Sequence, residues 1–178
     1  MVSKVFPLKP YSVKYPLLFK KERSRLLENS AIKGLVVEIE HIGSTAVPGL
    51  GGKEVIDILL TVKNADDVHL VVAELVNLGL VFKESAGSFG RKFLSDRPLD
   101  EGDEAFHYHV VVENSPEYIN PIRFRDVLRA NIHAQEEYFA LKQTLSKTAQ
   151  TPNEYRDGKS EFIKRALGDE NPRDRQAK

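Results

Sequence analysis

Asp57 is the residue whose chemistry most needs explaining. It stands in Val55-Ile56-Asp57-Ile58-Leu59-Leu60-Thr61-Val62, an almost wholly apolar run. A run of that kind reads as a central strand covered on both faces. A carboxylate in it is unfavourable unless something pairs with it, hydrogen-bonds to it or is coordinated by it. The preceding stretch, from His41-Ile42-Gly43-Ser44-Thr45 to Gly51-Gly52-Lys53, is a small-residue loop with bare backbone N–H groups and hydroxyls. An anion cradle beside a buried carboxylate suits a phosphorylated ligand and its metal ion, with Asp57 as catalytic and metal-binding acid. Gly43, Ser44 and Thr45 are then the phosphate-binding turn, and Lys53 reaches a phosphate or pairs with Asp57. The plainer alternatives are turn capping by the hydroxyls and an Asp that caps the loop through backbone N–H groups. Two familiar phosphate motifs do not match. Val47 and Glu54 stand where a P-loop needs Gly and Ser or Thr, and Glu54 stands where the dinucleotide fingerprint needs its third glycine.

Other side chains can complete such a site. His107 and His109 alternate on a strand pattern, so both imidazoles point to one face, close enough to share a metal ion. With Asp57 they make a candidate ligand set for Mg²⁺ or Mn²⁺, and the imidazoles shift preference toward Mn²⁺ or Zn²⁺. Glu40 and His41 are weaker candidates on the neighbouring strand. Arg125 and Arg129 share one helical face, which suits phosphate recognition; an exposed ion-pair face is the commoner use of such residues. Lys142 and Lys159 fall at nominally inward positions of two helices, beside Tyr138 and Tyr155. They predict a polar cleft that binds ligand, unless they snorkel to solvent.

The elements that position these residues are legible from periodicity. Lys14–Lys33 reads as a covering helix ended by Gly34, and Leu35–Ile42 and Val55–Val62 as strands. On the first strand Val37, Ile39 and His41 share one face, opposite Glu38, Glu40 and Ile42. Asn64 caps a helix that runs to Leu78, with Val72, Leu75 and Val76 inward. Val81–Ser85 and Arg91–Ser95 are short strands, Asp96–Glu104 is a polar surface loop, and Ala105–Glu113 is a strong strand. Asn120-Pro121 signals a helix start, a second helix spans about Ala134–Lys147, and Thr151-Pro152-Asn153-Glu154 opens a last helix to Leu167. The sum is an α+β domain, a mixed β-sheet with helices packed on it and a helical C-terminal part. It is a single domain, 1–178, with its core at 11–167 and flexible ends at 1–10 and 168–178.

Composition narrows the partners. The chain has 178 residues, with 26 Lys+Arg balancing 26 Asp+Glu, and no cysteine. Zero net charge argues against a coat for nucleic acid or an anionic membrane. Disulfides, thiolate catalysis and Cys-bound zinc are excluded. No apolar run has the length of a membrane span and the start lacks a signal peptide, so a cytoplasmic protein acting on a small phosphorylated ligand or nucleotide is expected. Oligomeric state is not readable.

His41-Ile42-Gly43-Ser44-Thr45-Ala46-Val47-Pro48-Gly49-Leu50, then Lys53 and Ile56-Asp57-Ile58, resembles the signature of the GrpB-like proteins. His107-Tyr108-His109 and Phe124-Arg125-Asp126-Val127-Leu128-Arg129 match in the same order, so the resemblance runs from about Tyr11 to Leu167. It implies the nucleotidyltransferase fold. In that superfamily two metal ions are held by an Asp-x-Asp or Asp-x-Glu pair after the Gly-Ser turn, with a third acid from a neighbouring strand. Here Leu59 occupies the second position, and the histidine pair stands where the third acid is expected. The chain also has Asn131-Ile132-His133 where the family commonly shows His-Pro-Glu, so a proline-driven helix break is expected to soften. Two functions follow: a metal-dependent nucleotidyltransferase with an unknown acceptor, or a catalytically degenerate nucleotide- or anion-binding module serving regulation or assembly. A metal hydrolase built on the histidines is a third.

Overall fold

The computed structural model describes residues 7–88, 90–96 and 106–168. Its elements in order are α1 (Tyr15–Glu28), α2 (Ser30–Leu35), β1 (Val36–Ile42), a short 3₁₀ turn (Ser44–Ala46), β2 (Ile56–Val62), α3 (Ala65–Asn77), β3 (Val81–Phe82), a second 3₁₀ turn (Glu84–Ala86), β4 (Arg91–Ser95) and β5 (Phe106–Val112). Four helices close the chain: α4 (Pro116–Ala130), α5 (Ile132–Thr148), α6 (Pro152–Asp157) and α7 (Ser160–Leu167).

The strands form one five-stranded sheet in the order β1-β2-β5-β4-β3. β2 and β5 run parallel at its centre, and the other pairs are antiparallel. This is the mixed α+β sheet that the strand-then-helix order implies. The register settles which side chains share a face. Ile42 lies opposite Asp57 and Glu40 opposite Leu59. Asp57 lies beside His107 and Leu59 beside His109. His109 in turn faces Phe93, and Val111 faces Arg91. Glu40, Asp57, His107, His109 and Arg91 therefore project from one side of the sheet, and His41 from the other.

The second side carries the main core. Ile39, Ile56, Ile58, Leu60, Val62, Leu94, Tyr108 and Val110 pack there against Leu26, Ile32, Val71 and Leu75 of the first three helices. Full burial of one such side chain is worth roughly 1.5–3 kcal/mol, so this layer supplies the rigidity behind the site. Within it Glu22 is buried, gripped at both oxygens by Arg25 and accepting a 2.7 Å bond from the Tyr108 hydroxyl. On the site side, Ile42, Leu59 and Val111 pack under Tyr118 and Ile122 of α4. The helical part has its own cluster, Leu128, Tyr138 and Phe162, into which the loop residues Val47 and Leu50 insert.

Several boundaries move from the periodicity reading. The first helix breaks at Asn29, whose side chain accepts 3.0 Å bonds from the N–H groups of Ala31 and Ile32 and starts α2. In α3 the buried stripe is Val68, Val71 and Leu75, while Val76 is 45% exposed. β3 stops at Phe82 because the chain turns at Glu84–Ala86. The next helix starts not at Asn120-Pro121 but at Ser115-Pro116, where Ser115 Oγ accepts from Tyr118 N–H at 3.2 Å. The cap-plus-proline signal occurs twice, and Pro121 is absorbed inside α4. The α4–α5 break is kept without a proline: Asn131 ends α4, and its side chain accepts from Ala134 N–H at 3.1 Å to start α5. Thr151 caps as expected, accepting from Glu154 N–H at 3.1 Å, but Gly158 divides the last helix in two.

The ends and the polar loop fall partly outside the described residues: 1–6, 97–105 and 169–178 are among those not described. Residues 7–10, expected as part of a flexible arm, are tied down. Lys9 exchanges two backbone hydrogen bonds with Gly52, of 2.7 and 2.9 Å.

Candidate functional site

Asp57 sits at the start of β2, where the sheet's site face emerges from under α4. Its Oδ1 lies 3.3 Å from His107 Nδ1 and 3.4 Å from His109 Nε2. Burial alone pushes the carboxyl upward, but the two imidazoles outweigh it and hold the pKa well below the usual carboxylate range. Burial pushes the His109 pKa down, against the pull of Asp57. An ionised carboxylate only accepts, so the ring nitrogens facing it carry protons. Phe93 closes the wall, with its ring 4.8 Å from His107 and 5.3 Å from His109. The next residue on the same face, Leu59, has no exposure and belongs to the apolar cluster under α4.

The expected divalent ion meets no preformed cage. Among the described residues no group of three or more His, Cys, Asp or Glu side chains is placed to hold one. Asp57, His107 and His109 do converge, but each imidazole turns a proton, not a lone pair, toward the carboxylate. A second carboxylate is also missing at Leu59. Glu40 does not supply it, because it pairs with Arg125.

The turn before β2 is built around Asp57. Gly43 has φ +73°, and a Cβ there would overlap Asp57 Oδ2. Glycine satisfies both demands, the left-handed backbone and the close approach. Thr45, expected to meet phosphate, is 1% exposed and works inside the loop. Its hydroxyl donates to the Val55 carbonyl at 3.0 Å and so must accept from His41 Nε2 at 3.0 Å. That assigns the neutral Nε2–H tautomer to His41. Burial, the largest influence, holds the His41 pKa down at about 4, and its ring stacks on Phe19 at 4.8 Å. Ser44 points differently: its Oγ lies against Gly52, within overlap of where a Cβ would be.

The two arginines expected to grip phosphate hold the loop instead. Arg125 is 8% exposed. It donates to Glu40, to Asp126 at 2.8 and 3.3 Å, and to the His41 carbonyl at 3.0 Å. Arg129 donates twice to the Ala46 carbonyl, at 3.0 and 2.8 Å. The Phe124–Arg129 segment therefore fastens both ends of the Gly-Ser turn to α4.

Lys142 packs against the Gly51-Gly52 turn, and Lys159 lies within electrostatic reach of Lys142. Lys142 is 3% exposed and donates from Nζ to the Gly51 carbonyl. Its Nζ also lies 3.3 Å from where a Gly52 Cβ would be, so Ser44 and Lys142 flank the same glycine. Burial, reinforced by Lys159, pulls the Lys142 pKa down to about 7. Burial likewise brings Lys159 to about 8, with Lys53 and Arg156 adding to the effect and Asp57 opposing it. Lys53 and Lys159 both stand over the Tyr155 ring, at 4.7 and 4.8 Å, and Lys142 lies 5.0 Å from the Tyr138 ring.

Arg91 was not singled out from sequence. The alternation of Arg91, Phe93 and Ser95 on β4 carries the signal, since it puts Arg91 on the face of His109. Its guanidinium pKa is lowered, chiefly by burial, with Asp57, Arg156 and Glu117 in electrostatic reach.

A sequence profile described as GrpB protein matches residues 6–169. The chain belongs to the GrpB family. The glutamate-rich protein GrpB of Alkalihalophilus pseudofirmus is 32% identical over 89% of this chain and 92% of its own length. The UPF0157 protein BH1888 of Halalkalibacterium halodurans is 30% identical over 88% of this chain and 78% of its own. The UPF0157 protein YqkA of Bacillus subtilis is 31% identical, but the chain spans only 44% of that protein. Among solved structures, GrpB from Enterococcus faecalis superposes with a TM-score of 0.78 and 28% identity, covering 92% of this chain and 96% of that one. Cid1 in complex with its short product ApU superposes with a TM-score of 0.50 and 16% identity, over 78% of this chain and 43% of Cid1. The GrpB chain thus has a nucleotidyltransferase-like fold. Among its described residues no helix is long and apolar enough to cross a membrane.

Proposed function

We propose that this GrpB-family chain binds a nucleotide or another small polyphosphorylated ligand in the hollow between the Asp57 face of the sheet and helices α5–α7. The observation that carries this reading is the gathering of lysines beside the Gly51-Gly52 turn, with Lys142 buried against the Gly51 carbonyl. Lys159 lowers the protonation of Lys142, and Lys53 that of Lys159, while Asp57 is a carboxylate within electrostatic reach of Lys159. Ammonium groups brought together at reduced solvent exposure favour an anion that binds them in common. Ser44 and the Gly51-Gly52 backbone supply the neutral wall, and Gly43 and Thr45 hold that wall in place. Arg125 and Arg129 act one layer behind, by fixing the turn.

Nucleotidyl transfer is the chemistry the fold suggests, in a cytoplasmic setting, with Asp57 beside the reacting phosphate. A divalent ion entering there, Mg²⁺, Mn²⁺ or Zn²⁺, has to displace the Asp57–imidazole bonds. Sealed Leu59 favours the second reading, a binding module that has lost the two-carboxylate reaction but kept the anion site.

Calorimetric titration of ATP, UTP and tripolyphosphate into the protein tests binding. Saturable binding that weakens about tenfold or more in Lys142→Met and Lys159→Met supports it. Absence of binding by all three, or binding indifferent to both substitutions, refutes it. Turnover of a bound nucleotide that disappears in well-folded Asp57→Asn separates enzyme from binding module.

A further inference from the structure

Arg91 is a half-buried cation that the lysine cluster does not account for. It projects from β4 on the face shared by Asp57, His107 and His109. Among the described residues, its buried Nε has no hydrogen-bond acceptor. A buried donor left without an acceptor is disfavoured, more so for a charged group. The carboxylates in electrostatic reach are Asp57, whose Oδ1 already faces two imidazoles, and Glu117, which lies against Gly90.

A second orphan stands on the adjacent strand. His109 is 7% exposed, turns Nε2 to Asp57, and has a buried Nδ1 with no partner among the described residues. In the tautomer that donates from Nε2 to Asp57, Nδ1 carries a lone pair. One strand thus presents an unused donor and its neighbour an unused acceptor, both beside the acid of the site. The lysines reach the hollow from the helical side; this pair belongs to the sheet.

We infer that Arg91 forms a second oxyanion subsite beside Asp57, and that the chain's second substrate is a small molecule carrying a phosphate or carboxylate. The inference rests on the proposed function for the word substrate, but the subsite stands on its own geometry. A planar guanidinium fork binds a carboxylate or phosphate edge through two parallel bonds, which a lysine cannot do. In this arrangement the lysines hold the polyphosphate and Arg91 the incoming anionic group, with Asp57 in electrostatic reach of both Arg91 and Lys159.

Two-step calorimetry at constant ionic strength tests it. The protein is first saturated with tripolyphosphate, then titrated with inorganic phosphate or acetate. The expected result is a second saturable event with at least one of the two anions, weakened about tenfold or more in Arg91→Met, with tripolyphosphate affinity nearly unchanged. The anion that gives the event tells phosphate from carboxylate. If Arg91→Met does not fold, Arg91→Lys keeps the charge, removes the fork and is expected to weaken the event several-fold. No second event with either anion, an event indifferent to the Arg91 substitution, or joint loss of both events in a folded variant overturns the inference. If tripolyphosphate fails to bind while phosphate still binds through Arg91, the polyphosphate reading falls and the subsite remains.

Discussion

The Gly43 Cα lies directly against the Asp57 carboxylate: a Cβ at Gly43 would overlap Oδ2 and come 3.0 Å from Cγ. Two residues fourteen positions apart in sequence are therefore one steric unit. Neither can be enlarged independently of the other.

Gly43→Ala meets both the clash and a left-handed backbone at φ +73°. The expected loss is about 1–3 kcal/mol of stability for the backbone conformation alone, with the clash adding to it. Thermal melting reads it. Gly34→Ala is the control, because nothing lies within 4 Å of a Cβ there and no unusual φ is required. Equal melting temperatures for the two variants would contradict the contact.

Acid titration reports on Asp57. Its folded pKa lies below its ordinary value, the imidazoles outweighing burial, so the folded state releases the proton more readily than the unfolded chain. The linked stability is present above about pH 4 and is lost as pH falls through the folded pKa. Chemical denaturation of Asp57→Asn should show a shallower loss below pH 4 than the parent protein. An unchanged pH slope would mean the imidazoles do not hold the carboxylate.

Lys142 gives the opposite sign. Its folded pKa is down at about 7, against 10.5 ordinarily, chiefly through burial. Between these values the unfolded chain binds the extra proton, so stability rises with pH from about 7 to 10. Lys142→Met should remove part of that rise. It should also weaken tripolyphosphate binding about tenfold or more near neutral pH. A variant that melts with the parent's pH profile would place the ammonium in water.

Arg125→Met strips the hydrogen bonds from Glu40 and the His41 carbonyl. Removing one partner of a buried pair typically destabilises by about 3–5 kcal/mol, less for a pair as partly exposed as this one. A fall in melting temperature is expected, with ligand affinity largely kept at low temperature, because Arg125 acts through the turn. Selective loss of affinity with unchanged stability would instead place Arg125 on the ligand.

How much of this was legible depended on range. The sheet's face pattern followed from alternation, and β1, β2 and β5 fell where their apolar runs lie, because a two-residue period is a local property. Asp57 and the His107–His109 pair were found as the polar exceptions to that period. The helix starts were less secure. Ser115-Pro116 and Asn120-Pro121 carry the same capping signal, and only packing of Tyr118 and Ile122 over Leu59 and Val111 chooses between them. Arg91 was missed because a lone arginine on a short strand looks solvated until its neighbours are known.

By itself, the sequence determined the family signature, the mixed sheet, and the polar residues that apolar runs cannot easily bury. Tertiary structure alone decided what each polar group is bonded to. Arg125 and Arg129 read as ligand-binding forks on their helix, yet their donors go to the loop carbonyls of His41 and Ala46 and to the acids at 40 and 126. Lys142 and Lys159 read as ambiguous, yet Lys142 is buried on the Gly51 carbonyl and Lys159 is half-buried over the Tyr155 ring. The reason is physical: periodicity fixes the direction in which a side chain leaves its own element, while its hydrogen-bond partner comes from whichever distant segment the packing brings to meet it.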